Sequence, residues 1–528
     1  MFGDGMELTE RRVFMSMISK KENTSKNGLL KDFSISKYAT ILLTYLFLCV
    51  IVVVLLGLAS WIPDPDSFFI IKTGEYIVEN KEVPTINPFV IHEDFAVVIQ
   101  QWAFDVFIYM LYNALGYAGL FLYSGIALLV AIFLTEKFVG MYTQNINHKL
   151  ILLTIFVWVY RDWAVVRPTS ISFSLLLSVI MILENYKRGN GKWMIALLPV
   201  ISVLLVNIHV SMWPLMFVMM LPYVFPNVLL LIKDKKDYLK SWIGKWWKVL
   251  LLIIPMFAIG FLNPNGANGM LYVIKSYKVI SYMSINELYP PYVLSVGGIL
   301  IIATIVILVQ YILRNKTGSD SANCYMAMGT LYMGMSHQRN LWYCLFGALP
   351  LFAMQLEVIK LRALQNCRKI KKVAQIIMTL VLCIVIFAVS QLYTFYVADG
   401  KMSPVQAANY LDQFNNQEDI VLYTDFNSGA YMEFRGYKVY MDARPELFSE
   451  EINGKKDVLT EWEDLIYQLA NVEGILDEYG FTHLIVENNG ALYGYMMNHP
   501  DFEHIISGKG YQVYERIGWE GDSKLVHP

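Results

Sequence analysis

The stretch 61–117 opens WIPDPDSFFIIKTGEYIVENKEVPTINPFVIHEDF and gathers Asp64, Asp66, Glu75, Glu79, Glu82, His92, Glu93 and Asp94 within a few turns of chain. It follows an apolar run directly and is too long for a plain connection. Pro63 and Pro65 restrict the backbone around the two aspartates, which therefore stand at a membrane boundary. A carboxylate held there can take a proton from a hydroxyl while the other reactant stays in the bilayer. The same residues can equally cap a helix starting near Ser67 or belong to a solvated acidic loop.

Polar groups recur at one end of later apolar runs: Arg161, Asp162 and Arg167 in RDWAVVRP, Asn207 and His209 in NIHVSMWP, Asn263 and Asn265 in FLNPNG, Asn286 and Glu287 in INELYPP, and His337, Arg339 and Asn340 in SHQRN. Ionisable groups near spans face a bundle interior or a wet cavity as a rule. Arg167 and Arg339 offer fixed donor forks that suit a phosphate, or alternatively a lipid headgroup. His92 and His209 lack the HxxxH or HExxH spacing of a zinc site, and neither a P-loop nor a GxSxG elbow occurs. Near the C-terminus, TDFNSGAYMEFRG and MDARPE place Asp425, Asn427, Gly429, Tyr431, Asp442 and Arg444 at expected strand ends, where ligands bind in α/β domains and where turns and local ion pairs also form.

These groups must be positioned by a membrane bundle. Of 528 residues, 56% are hydrophobic and only 16% charged, with a mean hydropathy of +0.44. A soluble single-core enzyme, a disordered chain and a coiled coil are excluded. Apolar runs fall near 39–60, 118–135, 149–165, 170–186, 192–208, 212–232, 248–262, 293–313, 322–335, 340–356 and 373–396, about eleven helices. With the N-terminus inside, Lys and Arg divide 26 to 7 in favour of the inner segments. Letting 98–115 span as well would invert that balance, so it is expected to lie in the outer interface as an amphipathic helix with Gln101 and Asp105 on its polar side. This topology predicts a multi-pass plasma-membrane protein in three parts. A cytoplasmic disordered tail covers 1–38, a transmembrane region 39–396 carries a large outer loop at 61–117, and an extracytoplasmic α/β domain fills 397–528.

The last segment returns to soluble composition and is acidic, with 9 Lys and Arg against 23 Asp and Glu. DIVLYT (419–424), YKVYMD (437–442) and THLIVE (482–487) read as strands, VLTEWEDLIYQLANVEGILDEYG as helix, and 502–517 as a hairpin turning at SGKG. The five cysteines form no CxxC pair, and no basic nucleic-acid footprint is visible.

Taken in order, DPDSFFIIKTGEYIVENKEVPTINPF, QQWAFDVFIYMLYNALG, VVRPTSISF, NIHVSMWP, FLNPNG, INELYPP, SHQRN, DFNSGAYMEF and YMDARPELF resemble the GT-C class of polytopic glycosyltransferases, and most closely a bacterial branch of GT-C-like membrane proteins. The resemblance covers nearly the whole chain. It implies a helical bundle with a large first outer loop, a sugar donor carried on a polyprenyl phosphate, and a carboxylate of that loop as base. Asp66 matches the branch's loop aspartate, with Asp64 close enough to compete. Gln101, Arg167, His209, Glu287 and Arg339 match other recurrent polar positions, and Asn207 and His337 stand beside them. The aromatic and histidine usual after the loop aspartate are replaced by Phe68, Phe69 and Ile70. The expected function is transfer of a sugar to an extracytoplasmic glycan or protein acceptor by one inverting displacement, with no cofactor, a divalent cation being compatible with the loop carboxylates. The alternatives are a transporter or flippase of a lipid-linked glycan and a non-catalytic envelope-assembly factor.

Overall fold

The computed structural model describes residues 65–160, 163–233, 235–280, 286–314, 321–358, 404–488, 490–508 and 510–521. The expected spans at 39–60 and 373–396, and with them Asp64, Arg161 and Asp162, lie outside the described residues.

Helix α1 (Pro65–Asn80) starts with proline at its first position and Asp66 in its first turn, both favoured where backbone N–H groups are unpaired. Lys81, at φ 58°, stops it. Helix α2 (Trp102–Leu115) ends at Gly116, whose φ of 60° turns the chain into α3 (Tyr117–Gly140). The two helices touch at Gly74, where an added Cβ would lie 2.1 Å from the Asp105 carbonyl oxygen. A helix does form in the stretch 98–115, as α2, but the side it exposes corrects the expectation. Gln101 and Asp105 are buried, and Phe107 and Met110 are exposed instead. Asp105 is covered by α1 and by residues around Arg444, which leaves the apolar face outward.

The bundle continues through α4 (Ile146–Tyr160), α5 (Thr169–Lys187), a 3₁₀ turn Lys192–Leu197 leading into α6 (Leu198–Ile208), α7 (Trp213–Val224), α8 (Val228–Lys233), α9 (Lys235–Ile259), α10 (Gly266–Ile280), α11 (Val296–Arg314), α12 (Ser321–Ser336) and a 3₁₀ turn Gln338–Tyr343 leading into α13 (Cys344–Val358). Its core is aromatic at the centre, with Phe173 stacked on Phe346 and in contact with Tyr160 and Trp342. Among the described residues, 117–140, 169–187, 236–259, 296–314 and 338–358 are long and apolar enough to cross a membrane, and 148–160, 192–208 and 210–224 are shorter apolar helices.

Residues 404–521 form a four-stranded sheet of order β1-β2-β4-β3, from β1 (Leu422–Thr424), β2 (His483–Glu487), β3 (Phe502–Ser507) and β4 (Tyr511–Arg516). The β1–β2 pair is parallel, joined by a helical crossover, and the remaining pairs are antiparallel. The expected hairpin is β3–β4. The expected strand 437–442 is not one: Val439 makes only isolated bridges, to Leu422 on one side and to Val90 of the first loop on the other. That second bridge explains the difference, because Val439 donates to the Phe89 carbonyl (3.0 Å) and receives from Ile91 N–H (3.0 Å) instead of extending the sheet. One apolar core runs from Phe68, Phe69, Phe95 and Phe104 into Tyr431, Tyr440, Phe448 and Phe481. The first loop and the end of the chain thus build a single body over one end of the bundle.

Candidate functional site

Asp66 leaves the first turn of α1 and meets Arg167, two residues before α5, with Nε of the arginine 2.9 Å from a carboxylate oxygen. Both side chains are about one-quarter exposed, so the pair is accessible without being fully solvated. The VRPTS turn that carries Arg167 is pinned from below: hydroxyls of Tyr123 (3.0 Å) and Ser170 (2.9 Å) donate to the Arg167 carbonyl. Two distant segments are therefore held so that one carboxylate and one guanidinium share a site.

A second histidine–arginine corner is reached through the same turn. Ser172, five residues beyond Arg167, donates to the Pro168 carbonyl (2.9 Å) and its oxygen meets Nδ1 of His209 at 2.9 Å. His209 is buried between α6 and the turn 210–212, and burial first, then the Arg339 charge, hold its imidazole at about 3, far below its ordinary value. It is neutral at physiological pH and serves as a hydrogen-bonding strut. Arg339 lies on the 3₁₀ turn before α13, and the exposed Glu287 turn joins it by a hydrogen bond from Gln338 N–H to the Tyr289 carbonyl (2.9 Å). His337 in the same corner contacts the Ser336 hydroxyl (2.9 Å).

Two expected site residues have structural employment instead. Gln101 donates to Asp105 (3.0 Å), whose carboxyl is pushed well above its ordinary range by burial, and Asn207 accepts from Trp102 Nε1 (2.9 Å). The Asn207–Trp102 bond, with Val210 N–H on the Gln100 carbonyl (3.0 Å) and Asn265 on the Ile99 carbonyl (3.0 Å), straps residues 99–102 across the end of α6 and the start of α10. His92 is also structural. It sits among Phe95, Tyr440, Phe448 and Tyr479, contacts the Tyr440 carbonyl (2.7 Å), and is lowered to about 4 by burial. Among the described residues no group of three or more His, Cys, Asp or Glu side chains is arranged to hold a metal ion.

The motifs near the C-terminus converge behind α1. Arg444 is bound to Asp442, reaches both carboxylate oxygens of Glu433 (3.2 Å each), and lies 4.7 Å over the Phe69 ring. All three charged side chains are buried or nearly so. Burial alone would raise Asp442, but the Arg444 charge outweighs it and holds the carboxyl below its ordinary range; burial and the neighbouring Asp442 push Glu433 up. The local Asp442–Arg444 pair is as expected from MDARPE, whereas Glu433, within TDFNSGAYMEFRG, was not singled out in the sequence. Phe68, beside Phe69, packs edge-on to Tyr431 at 4.8 Å. Tyr123, Ser170 and Ser172 were also missed; the spacing of Arg167 and Ser172 on one turn of RPTSIS was the available signal.

An apolar cavity of about 340 Å³ opens between α3, α5 and α6, lined by Leu134, Leu175, Met181, Ile182, Met194 and Val200. It lies along the half of α5 remote from Arg167.

No protein-family model matches the chain, and no curated protein is similar to it in sequence. Solved structures do match. ArnT from Cupriavidus metallidurans, bound to undecaprenyl phosphate, aligns with a TM-score of 0.51 at 12% identity over 90% of this chain and 98% of that one. The Archaeoglobus fulgidus oligosaccharyltransferase AglB, in complex with an inhibitory peptide and a dolichol-phosphate, aligns at 0.51 and 10% identity over 90% and 75%. The same enzyme in its apo form gives 0.50 and 11% over 90% and 75%. Both are GT-C glycosyltransferases, and the mostly helical chain shares their fold.

Proposed function

We propose that this chain is a membrane glycosyltransferase that moves a sugar from a polyprenyl-phosphate donor to an acceptor hydroxyl at the extracytoplasmic face. The observation that carries the reading is the Asp66–Arg167 pair, a carboxylate and a guanidinium 2.9 Å apart on segments that the first loop and α5 bring together. The polyprenyl phosphates bound by ArnT and AglB support the donor class.

In this reading Asp66 accepts the proton of the acceptor as its nucleophilic atom attacks the anomeric carbon. The bond from that carbon to the phosphate oxygen breaks in the same step, and its electron pair leaves with the phosphate. Arg167 neutralises the departing charge, and Arg339 is the second candidate for that role. A phosphate and Asp66 compete for one guanidinium. Capturing the donor draws the positive charge away from Asp66, and a carboxylate relieved of its counter-charge becomes a stronger base. Asp64 is the competing base.

The test is transfer from a radiolabelled polyprenyl-phosphate sugar library to membrane acceptors by purified protein in liposomes. Wild-type protein should form product and Asp66→Asn should not, while both insert normally. Undiminished transfer by Asp66→Asn removes Asp66 as base. Donor flux without product favours a flippase.

A further inference from the structure

Helix α10 (Gly266–Ile280) is covered on one face only. Gly269, Tyr272, Ser276 and Val279 are buried, and Tyr272 donates to Glu446 of the outer body at 2.9 Å. The opposite face presents Leu271, Ile274 and Tyr277, exposed by 53%, 70% and 66%. Lys275 and Lys278 are exposed on the same side of the helix, beside and within that apolar stripe, and Lys278 also reaches Glu451 at 2.8 Å.

The height of this face follows from its neighbours. The helix begins seven residues after α9 ends, and the connection exposes Phe261 and Leu262. Those two continue the outward apolar row Leu251, Ile254 and Phe257 of α9, the lipid-facing side of a helix long enough to cross a membrane. Within the connection, Asn207 at the end of α6 donates to the Leu262 carbonyl (3.1 Å) and Asn263 lies against Gly269. Helix α10 is thus wedged between the bundle's end and the outer body, level with the place where the lipid-facing row stops.

We propose that α10 is a lipid-docking surface: Leu271 and Ile274 enter the acyl boundary of the extracytoplasmic leaflet, Tyr277 sits at headgroup level, and Lys275 and Lys278 take anionic phospholipid headgroups. An exposed apolar strip carrying two lysines matches that partner in both hydrophobicity and charge. A soluble protein partner has no such reason to meet the strip at the level of the bilayer edge. Through Tyr272–Glu446 the same helix ties the outer body to the membrane surface. This inference makes no use of transfer chemistry.

The experiment uses full-length protein in nanodiscs of phosphatidylcholine with or without phosphatidylglycerol. A nitroxide is placed at Ile274→Cys in a variant whose five native cysteines are replaced by alanine. Collisions with lipid-soluble oxygen should exceed those with an aqueous nickel chelate, and Lys275→Glu should shift the label toward water only in the anionic discs. On unmodified protein, a photoactivatable phosphatidylglycerol should leave adducts within 271–278. A label open to nickel in both compositions, a label shielded from both reagents, or the absence of adducts in that segment overturns the proposal. A catalytically dead protein that still passes leaves it standing.

Discussion

Arg167 reaches Asp66 through Nε, at 2.9 Å, from a turn whose carbonyl is held by two hydroxyls. A guanidinium so placed has a fixed origin, and its charge can be shared between a resident carboxylate and an incoming phosphate. Removing the carboxylate's charge should then have opposite effects on binding and chemistry. Asp66→Asn should retain polyprenyl phosphate more tightly than wild type, by several-fold in a scintillation-proximity assay, while transfer falls by about 10²–10⁴, the range of a lost general base. Weaker retention would show that Asp66 helps to hold the lipid phosphate and does not compete with it.

Arg444→Met should release the outer body. It leaves Glu433 and Asp442 buried without their cation, a change that costs about 3–5 kcal/mol when one partner of a buried pair is removed. The expected result is rapid proteolysis within 404–521 with the bundle intact in detergent. A variant as resistant as wild type would mean that the carboxyls are carried neutral without help from arginine.

Gly74→Ala tests the close crossing of α1 and α2. The new Cβ would fall 2.1 Å from the Asp105 carbonyl oxygen, so one helix must move. Overpacking of this kind costs about 1–3 kcal/mol. Because Asp66 rides on α1, transfer should fall further than folded yield, as read by activity per folded molecule after size-exclusion chromatography.

Acidification should loosen the loop from the outer body through His92. Burial lowers its folded pKa to about 4 from an unfolded value near 6.5, so the unfolded state binds more protons between those limits. The contribution is fully present above about pH 6.5 and is lost as pH falls toward 4, amounting to about 3 kcal/mol. Hydrogen exchange at Ile91 and Val439 should accelerate over that window in wild type, and the acceleration should shrink in His92→Gln.

The helical bundle was readable because long apolar runs have few alternatives in a chain with so little charge. Asp66 and Arg167 were readable as chemistry-bearing residues, one directly after Pro65 and the other directly before Pro168. Their contact was not, since nothing local specifies a partner a hundred residues away. The orientation of α2 was misread for a related reason. A polar stripe faces water unless another part of the chain arrives to bury it, and here Arg444 and the body around it do so. Residues 437–442 carry the alternation of a strand, yet Val439 finds its hydrogen bonds in the first loop.

His92 rests its imidazole against the Tyr440 carbonyl, 348 residues further along the chain. The loop is made well before its covering half, with the residues of the bundle to be made before the two can meet. Until then Phe68, Phe69 and Phe95 have no cover from their distant partners. Assembly of this protein is accordingly a problem of waiting as well as of insertion, and a cell that makes it must shelter an unfinished greasy surface for the whole of that interval.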